Sequence, residues 1–285
     1  MTQFSGMRAS PRPLTPVVTE TTSQPETTTT DAVHSVAQAV GTISVDIWSD
    51  IACPWCYIGK RKFEAGMQKY LAAGDDRAVA IEYHSFELAP DTPVDFEGDE
   101  LDFLSRHKGM PREQVQEMLA RVTEIAASVG LDYDFGKLHH TNTVKAHELL
   151  HIAKDHGVQL ELMERLFKAY FVEGGHVGRI EDLVAYGAEV GLDPVATEAT
   201  LRSGEMTPRV REDQAIAGQY GIQGVPFFVL DGAYGISGAQ EADTFADVLE
   251  QVLQVRMAAA AELAAENAEG AEGAEGAATD DKAGA

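Results

Sequence analysis

The sequence predicts an α/β fold in which an all-helical block interrupts a β-α-β … α-β-β-α frame. Three observations predict it. Strand-like runs occur only near the two ends of the ordered part, at residues 42–48 and 78–86 and again at 225–237. The stretch between them repeats its apolar residues at helical spacing. The late strand pair is split by Asp231-Gly232, a hairpin turn signal.

The elements follow in order. "TISVDIW" sets Ile43, Val45 and Ile47 on one side of a strand. A helix follows from Pro54 to about Leu71, and "AVAIEYHSF" reads as a second strand. Pro111 is expected at the first helical position of a helix closed by Gly130, with Val115, Met118, Leu119, Val122, Ile125 and Val129 at helical spacing. Further helices fit 143–156, 160–171, 181–190, 194–203 and 208–220. "VPFFVL" and "AYGIS" form the hairpin, and a last helix fits Ala242 to Met257. Residues 1–41 are Thr-, Ser- and Pro-rich and read as disordered, apart from a short helix over 31–40. The low-complexity end, with its "EGAEGAEGA", reads as a disordered acidic tail over 258–285.

Charge limits the partners. The chain has 22 basic and 46 acidic residues, a net charge of −24. That balance argues against nucleic acid and against an anionic membrane surface. No apolar run is long enough to cross a bilayer, and the N-terminus lacks the apolar core of a secretory signal. The expected compartment is the cytoplasm.

The chain has two cysteines, Cys53 and Cys56, in "SDIACPWCYIGKRKF". One pair cannot form a disulfide framework for a chain of this size. With Pro54 at N1, Cys53 becomes the N-cap of the first helix, facing free N–H groups and the positive end of the helix dipole. Such placement favours a thiolate, lowering a Cys pKa from about 8.5 to roughly 3.5–7.5. Cys56 lies one turn further in and more buried. The pattern suits Cys53 as attacking thiol and Cys56 as resolving thiol. A metal half-site and an inert pair are the alternatives. Zinc asks for four ligands, and there is no second Cys pair.

These residues, with "GIQGVPFFVLDGAYGISGAQ" far downstream, resemble the DsbA-like thioredoxin family and, within it, the cytoplasmic FrnE-type branch of disulfide oxidoreductases. The resemblance runs from about Thr42 to Met257. It implies a thioredoxin fold with an inserted all-helical domain: 42–96 and 206–257 as the two parts of the thioredoxin domain, and 97–205 as the insertion. It also implies that Val225-Pro226 is a cis-proline pair facing the active-site cysteines, with Pro226 part of the catalytic centre. Pro54, Trp55 and Val225 would then meet substrate. "TNTVKAHELLHIA" is similar to a segment of the same branch, which adds Asn142, Thr143 and His147 to the expected lining. Some relatives carry a second cysteine pair; its absence here excludes an internal relay of two disulfides. No cofactor is expected beyond the cysteine pair itself, with glutathione a candidate co-substrate, and the expected partners are protein or small-molecule thiols and disulfides.

Three rival functions remain. His147-Glu148-Leu149-Leu150-His151 matches the H-E-x-x-H pattern of zinc proteases. Its third ligand is missing: His156 falls one residue short of the extended pattern, and Glu173 is a loose candidate. A peptide-binding chaperone would use Trp55, Tyr57, Phe86, Phe227 and Phe228 as an apolar groove. Glutathione-dependent isomerases and transferases share the inserted architecture, but they usually lack the second cysteine, which this chain keeps.

Overall fold

The computed structural model describes residues 12–13, 42–74 and 77–279. Its sheet comprises β1 (Arg12–Pro13), β2 (Thr42–Ser49), β3 (Ala78–Ser85), β4 (Phe227–Leu230) and β5 (Tyr234–Ser237), in the order β1-β5-β4-β2-β3. β2 and β3 run parallel, joined through α1 (Pro54–Leu71); β4 and β5 pair antiparallel, and β4 adds antiparallel to β2 with Trp48 opposite Phe227. A crossover helix is what a parallel pair requires. At the hairpin, Asp231 and Gly232 both take positive φ, of 53° and 64°, as a type I′ turn demands.

Between β3 and β4 come α2 (Glu100–Lys108), α3 (Arg112–Ser128), α4 (Val144–Asp155), α5 (Gln159–Lys168), α6 (Ile180–Glu189), α7 (Pro194–Ser203) and α8 (Thr207–Gln219). α5 runs into a single π-turn, Ala169–Glu173. The chain ends in α9, Ala242–Thr279. This is the α/β architecture with a helical insertion that the sequence predicts.

The alternation in β2 divides the core. Ile43, Val45 and Ile47 join the main cluster with Phe63, Phe228 and Phe245, sandwiched by α1 and α9. Trp48 points to the opposite face, where it meets Ala217, Ile222 and Val229. The main cluster is continuous into the insertion. Cys53, Cys56 and Tyr57 share it with Tyr133, Phe167 and Phe171, and Tyr57 stacks on Phe167 with ring centroids 4.9 Å apart. The helical block is therefore packed directly onto the start of α1.

α1 and α9 approach closely at Gly66. A Cβ there would lie 2.5 Å from the Ala242 carbonyl oxygen and 2.7 Å from Phe245 Cβ. Backbone cannot give way cheaply, so Gly66→Ala should destabilise the fold by about 1–3 kcal/mol through overpacking. A lowered urea midpoint at unchanged slope is the expected reading; an unchanged midpoint would show that the two helices slide apart freely.

Several expectations need correction. α9 does not stop at Met257: residues 258–279 of the expected disordered tail continue it, because alanine and glutamate are strong helix formers and each glycine costs only about 1 kcal/mol. Within the expected disordered N-terminal segment, Arg12–Pro13 pairs with β5, an edge position where a proline without N–H is tolerated. The short helix at 31–40 lies outside the described residues. Pro111 is the N-cap of α3 and not its first residue. α2 went unread, although Asp99 caps it and forms a reciprocal capping box with Asp102.

Candidate active site

β2 ends at Ser49, and the chain turns through Asp50–Ala52 into α1. Cys53 is the N-cap, with φ −91° and ψ 112°, and Pro54 opens the helix. The Cys53 N–H donates to the Asp50 carbonyl at 3.1 Å, and the Cys56 N–H to the Cys53 carbonyl at 3.0 Å. Both side chains are free thiols. The Cys53 thiol makes no cap hydrogen bond to its own helix; it donates to the Val225 carbonyl oxygen at 3.6 Å. Cys56 is buried one turn in. Burial pushes its thiol well up, and the neighbouring Cys53 adds to this, since a low-dielectric site disfavours a thiolate and two adjacent sulfurs disfavour two charges.

The Val225–Pro226 peptide is cis. Pro226 lies just before β4, accepts the Gly238 N–H at 2.8 Å, and sets its ring against Gly59 of α1, where an added Cβ would meet Pro226 Cγ at 2.9 Å. Residues 172 apart in sequence thus meet at the Cys53 sulfur.

Cys53 is not the exposed thiol that its N-cap position suggests: it is 4% accessible and Cys56 2%. The reason is the insertion, which roofs the site. Between roof and β2–α1 turn lies a cavity of about 230 Å³. Cys53, Pro54, Trp55 and Thr143 line it together with residues of α2 and α3. Trp55 is 39% exposed and stands at the rim.

Two other expected lining residues point elsewhere. The Asn142 amide donates to the Pro90 carbonyl at 2.8 Å while its oxygen accepts the Val144 N–H, so from the position before the N-cap Thr143 it ties down the start of α4. His147 is 1% exposed and turns to Asp50, Nε2 to Oδ1 at 3.5 Å. Asp50 also accepts the Leu88 N–H at 2.8 Å and that of Ala52 at 3.3 Å. Burial alone would push the Asp50 carboxyl up, but the His147 contact and the backbone donor hold it below the usual carboxylate range. Asp50 lines the cavity beside Cys53. It was missed although it stands within the quoted motif.

The H-E-x-x-H residues do not converge on a cation. His147 faces Asp50, His151 lies 3.2 Å from Asp213, and Glu148 is bound by Lys145 and Thr207. Among the described residues, the group close enough to share an ion is Asp46, Glu82 and His84. There His84 Nε2 already pairs with Asp46 at 2.9 Å and Lys154 with Glu82. Of the residues the chaperone reading would use, Tyr57 and Phe228 are core residues at 2% and 0% exposure.

A mixed sheet with a cysteine at the N-cap of its crossover helix, a second cysteine one turn on, and a cis Val225–Pro226 peptide whose Val225 carbonyl meets the first sulfur define a thioredoxin-class thiol–disulfide enzyme. A family model described as a DSBA-like thioredoxin domain matches residues 44–250. The chain belongs to that family and is a thiol–disulfide oxidoreductase. A probable DsbA oxidoreductase of Streptomyces coelicolor is 40% identical, with a TM-score of 0.68 over 74% of this chain and 89% of that one. A curated relative, the uncharacterized protein YwbO of Bacillus subtilis (strain 168), is 29% identical over 72% of this chain and 94% of its own length. The cytosolic disulfide reductase DsbM of Pseudomonas aeruginosa, solved with GSH, shares the fold at 19% identity and a TM-score of 0.53, covering 73% of this chain and 98% of that one. Among the described residues, no helix is long and apolar enough to cross a membrane.

Proposed function

We propose that the protein is a FrnE-type dithiol–disulfide oxidoreductase of the cytoplasm, working through its Cys53-Pro54-Trp55-Cys56 centre. The observation that carries this reading is the Cys53 sulfur, held at an N-cap, reached from a cavity, and set against the Val225 carbonyl beside Pro226. In the reducing direction Cys53 thiolate attacks a substrate disulfide and forms a mixed disulfide, releasing one substrate thiolate. Cys56 then gives up its proton and attacks the Cys53 sulfur, releasing the second. A low-molecular-weight thiol regenerates the pair, and glutathione, which DsbM holds, is the candidate. Burial disfavours negative charge at Cys56, which leaves Cys53, at the helix start and met by the Val225 carbonyl, as the attacker. The single cysteine pair in 285 residues suits a reducing compartment.

The test is selective alkylation. One equivalent of iodoacetamide at neutral pH should label Cys53 ahead of Cys56 by peptide mapping, and the singly labelled protein should no longer cleave a model disulfide. Dominant labelling of Cys56 would reverse the roles. Labelling of Cys53 that left cleavage intact would remove the pair from the chemistry altogether.

A further inference from the structure

The cavity beside Cys53 is lined by both apolar and ionisable residues. Leu88, Phe103, Leu104, Met118, Leu119 and Val122 supply its apolar part, and His107 and Lys108 of α2 stand in the same lining. Glu100 and His140, also in its lining, form a buried pair, His140 Nδ1 to Glu100 Oε2 at 2.9 Å, with the residues 7% and 5% exposed. The Tyr170 hydroxyl approaches the same nitrogen at 3.4 Å, and Phe103 stacks on the imidazole. His140 Nε2 is buried and has no hydrogen-bond partner. A buried ionisable pair contributes little to stability compared with apolar packing, and an unpaired buried nitrogen costs about 1–3 kcal/mol. The pair lies in the lining of a cavity that also reaches Cys53.

Resting on the disulfide-exchange reading above, we propose that this cavity binds a small organic thiol or disulfide with an apolar body and a hydroxyl-type terminal group, the body against the α2–α3 wall and the terminal group at His140. The access to sulfur selects the size. Cys53 is 4% exposed, so a disulfide on the surface of a folded protein does not reach it, whereas a slim molecule entering beside Trp55 does. The walls select the body, since each methylene taken from water contributes about 0.8 kcal/mol, roughly fourfold in affinity. The Glu100–His140 pair, in the lining of the same cavity, selects a polar end group.

The exchange balances without a further reagent in one turnover. For a symmetrical disulfide, the substrate S–S bond breaks as the Cys53–S–S–R bond forms, and the first R–S⁻ takes up a proton. Cys56 thiolate, its proton released, breaks that mixed disulfide and frees the second R–S⁻, which is also protonated. The substrate gains two electrons and two protons, and the dithiol becomes a disulfide.

The experiment measures single-turnover oxidation of the reduced full-length protein by bis(ω-hydroxyalkyl) disulfides, from hydroxyethyl to hydroxyoctyl. Dithiothreitol serves as the reference for intrinsic reactivity. The expected result is at least a tenfold rise in relative rate along the series to an optimum length. Met118→Trp, which fills the wall, should flatten the rise, slowing the long members of the series more than the hydroxyethyl compound. His140→Leu should slow the hydroxyl-ended optimum at least fivefold more than the methyl-ended disulfide of equal length, with His140→Gln giving partial recovery. A flat series in a protein that reacts normally with the hydroxyethyl compound overturns the binding site and leaves disulfide exchange standing. Equal slowing of every disulfide by His140→Leu gives His140 a merely structural role and overturns the assignment. Failure to react with any member defeats the exchange reading, and the binding site with it.

Discussion

Cys56→Ser should turn the protein from one that recycles into one that stalls. Attack needs only Cys53, whose place at the N-cap and against the Val225 carbonyl does not depend on the second sulfur. Release needs a nucleophile inside the protein, and among the described residues no other cysteine exists. Serine at 56 keeps the small polar side chain but is far too weakly acidic to displace a thiolate at neutral pH. Disulfide cleavage should fall by about 10²-fold or more, the scale of loss when a reacting group is removed. A thiol-cleavable adduct on Cys53 should accumulate, seen by mass as one substrate half per chain. A variant that keeps cycling, with no adduct, would mean that a solvent thiol resolves the intermediate and that Cys56 is dispensable. The raised Cys56 pKa gives the reaction a pH signature. With wild type, resolution should speed up as pH rises and Cys56 deprotonates more readily, and this dependence should vanish in Cys56→Ser.

The largest effect on stability is expected at Asp213. It is 6% exposed and sits on α8, where one carboxylate accepts the Ser85 N–H at 2.7 Å and meets His84 Nδ1 at 3.0 Å and His151 Nε2 at 3.2 Å. It thereby joins α8 to the end of β3 and to α4. Burial pushes its carboxyl up, but the two imidazoles and the backbone donor bring it far below the usual carboxylate range. Asp213→Ala removes the shared acceptor and leaves buried donors unpaired, a loss of about 3–5 kcal/mol. Asp213→Asn keeps an acceptor and should lose less.

The partner group titrates in reach. Burial lowers the His84 pKa, yet Asp213 and Asp46 raise it to about 9 from an unfolded value of 6.5. A raised folded pKa means that the contribution is complete below the unfolded value and is lost as pH climbs through the folded one. Wild-type stability should therefore decline between about pH 7 and 10, and Asp213→Ala should show a shallower decline. Equal slopes in urea titrations of the two proteins would place the titrating group elsewhere. On the acid side the sign inverts. The depressed Asp213 contributes fully above its unfolded value of 3.8, and that contribution is lost as pH falls towards the lower folded value.

What could be read from the chain was what is local. The Cys53 N-cap with Pro54 at N1, the Asp231-Gly232 turn and the alternation of β2 each depend on residues within one turn or strand, and each is found. The Val225–Cys53 meeting spans 172 residues and entered only through family resemblance. Glu100 and His140 lie 40 apart and belong to no motif; only packing of α2 against the loop before α4 brings them together. His147 shows the opposite failure. Its segment was recognisable, but a helix has several faces, and the motif did not say that His147 would point at Asp50 and away from the cavity. The tail after Met257 was misjudged because its glycine repeat suggested disorder while its alanines and glutamates favoured helix.

The distance along the chain between Cys53 and Val225 has a consequence during synthesis. A ribosome adding about 5–20 residues per second needs roughly 10–30 s to make the 172 residues between them. Through that interval neither the Val225 carbonyl nor Pro226 exists to receive the cysteines, which emerge ahead of their roof. The nascent thiols are then open to whatever oxidant or electrophile surrounds the ribosome, and the finished enzyme is better protected than its own precursor. Fidelity at this centre is thus decided by the redox state around the growing chain as much as by the folded protein.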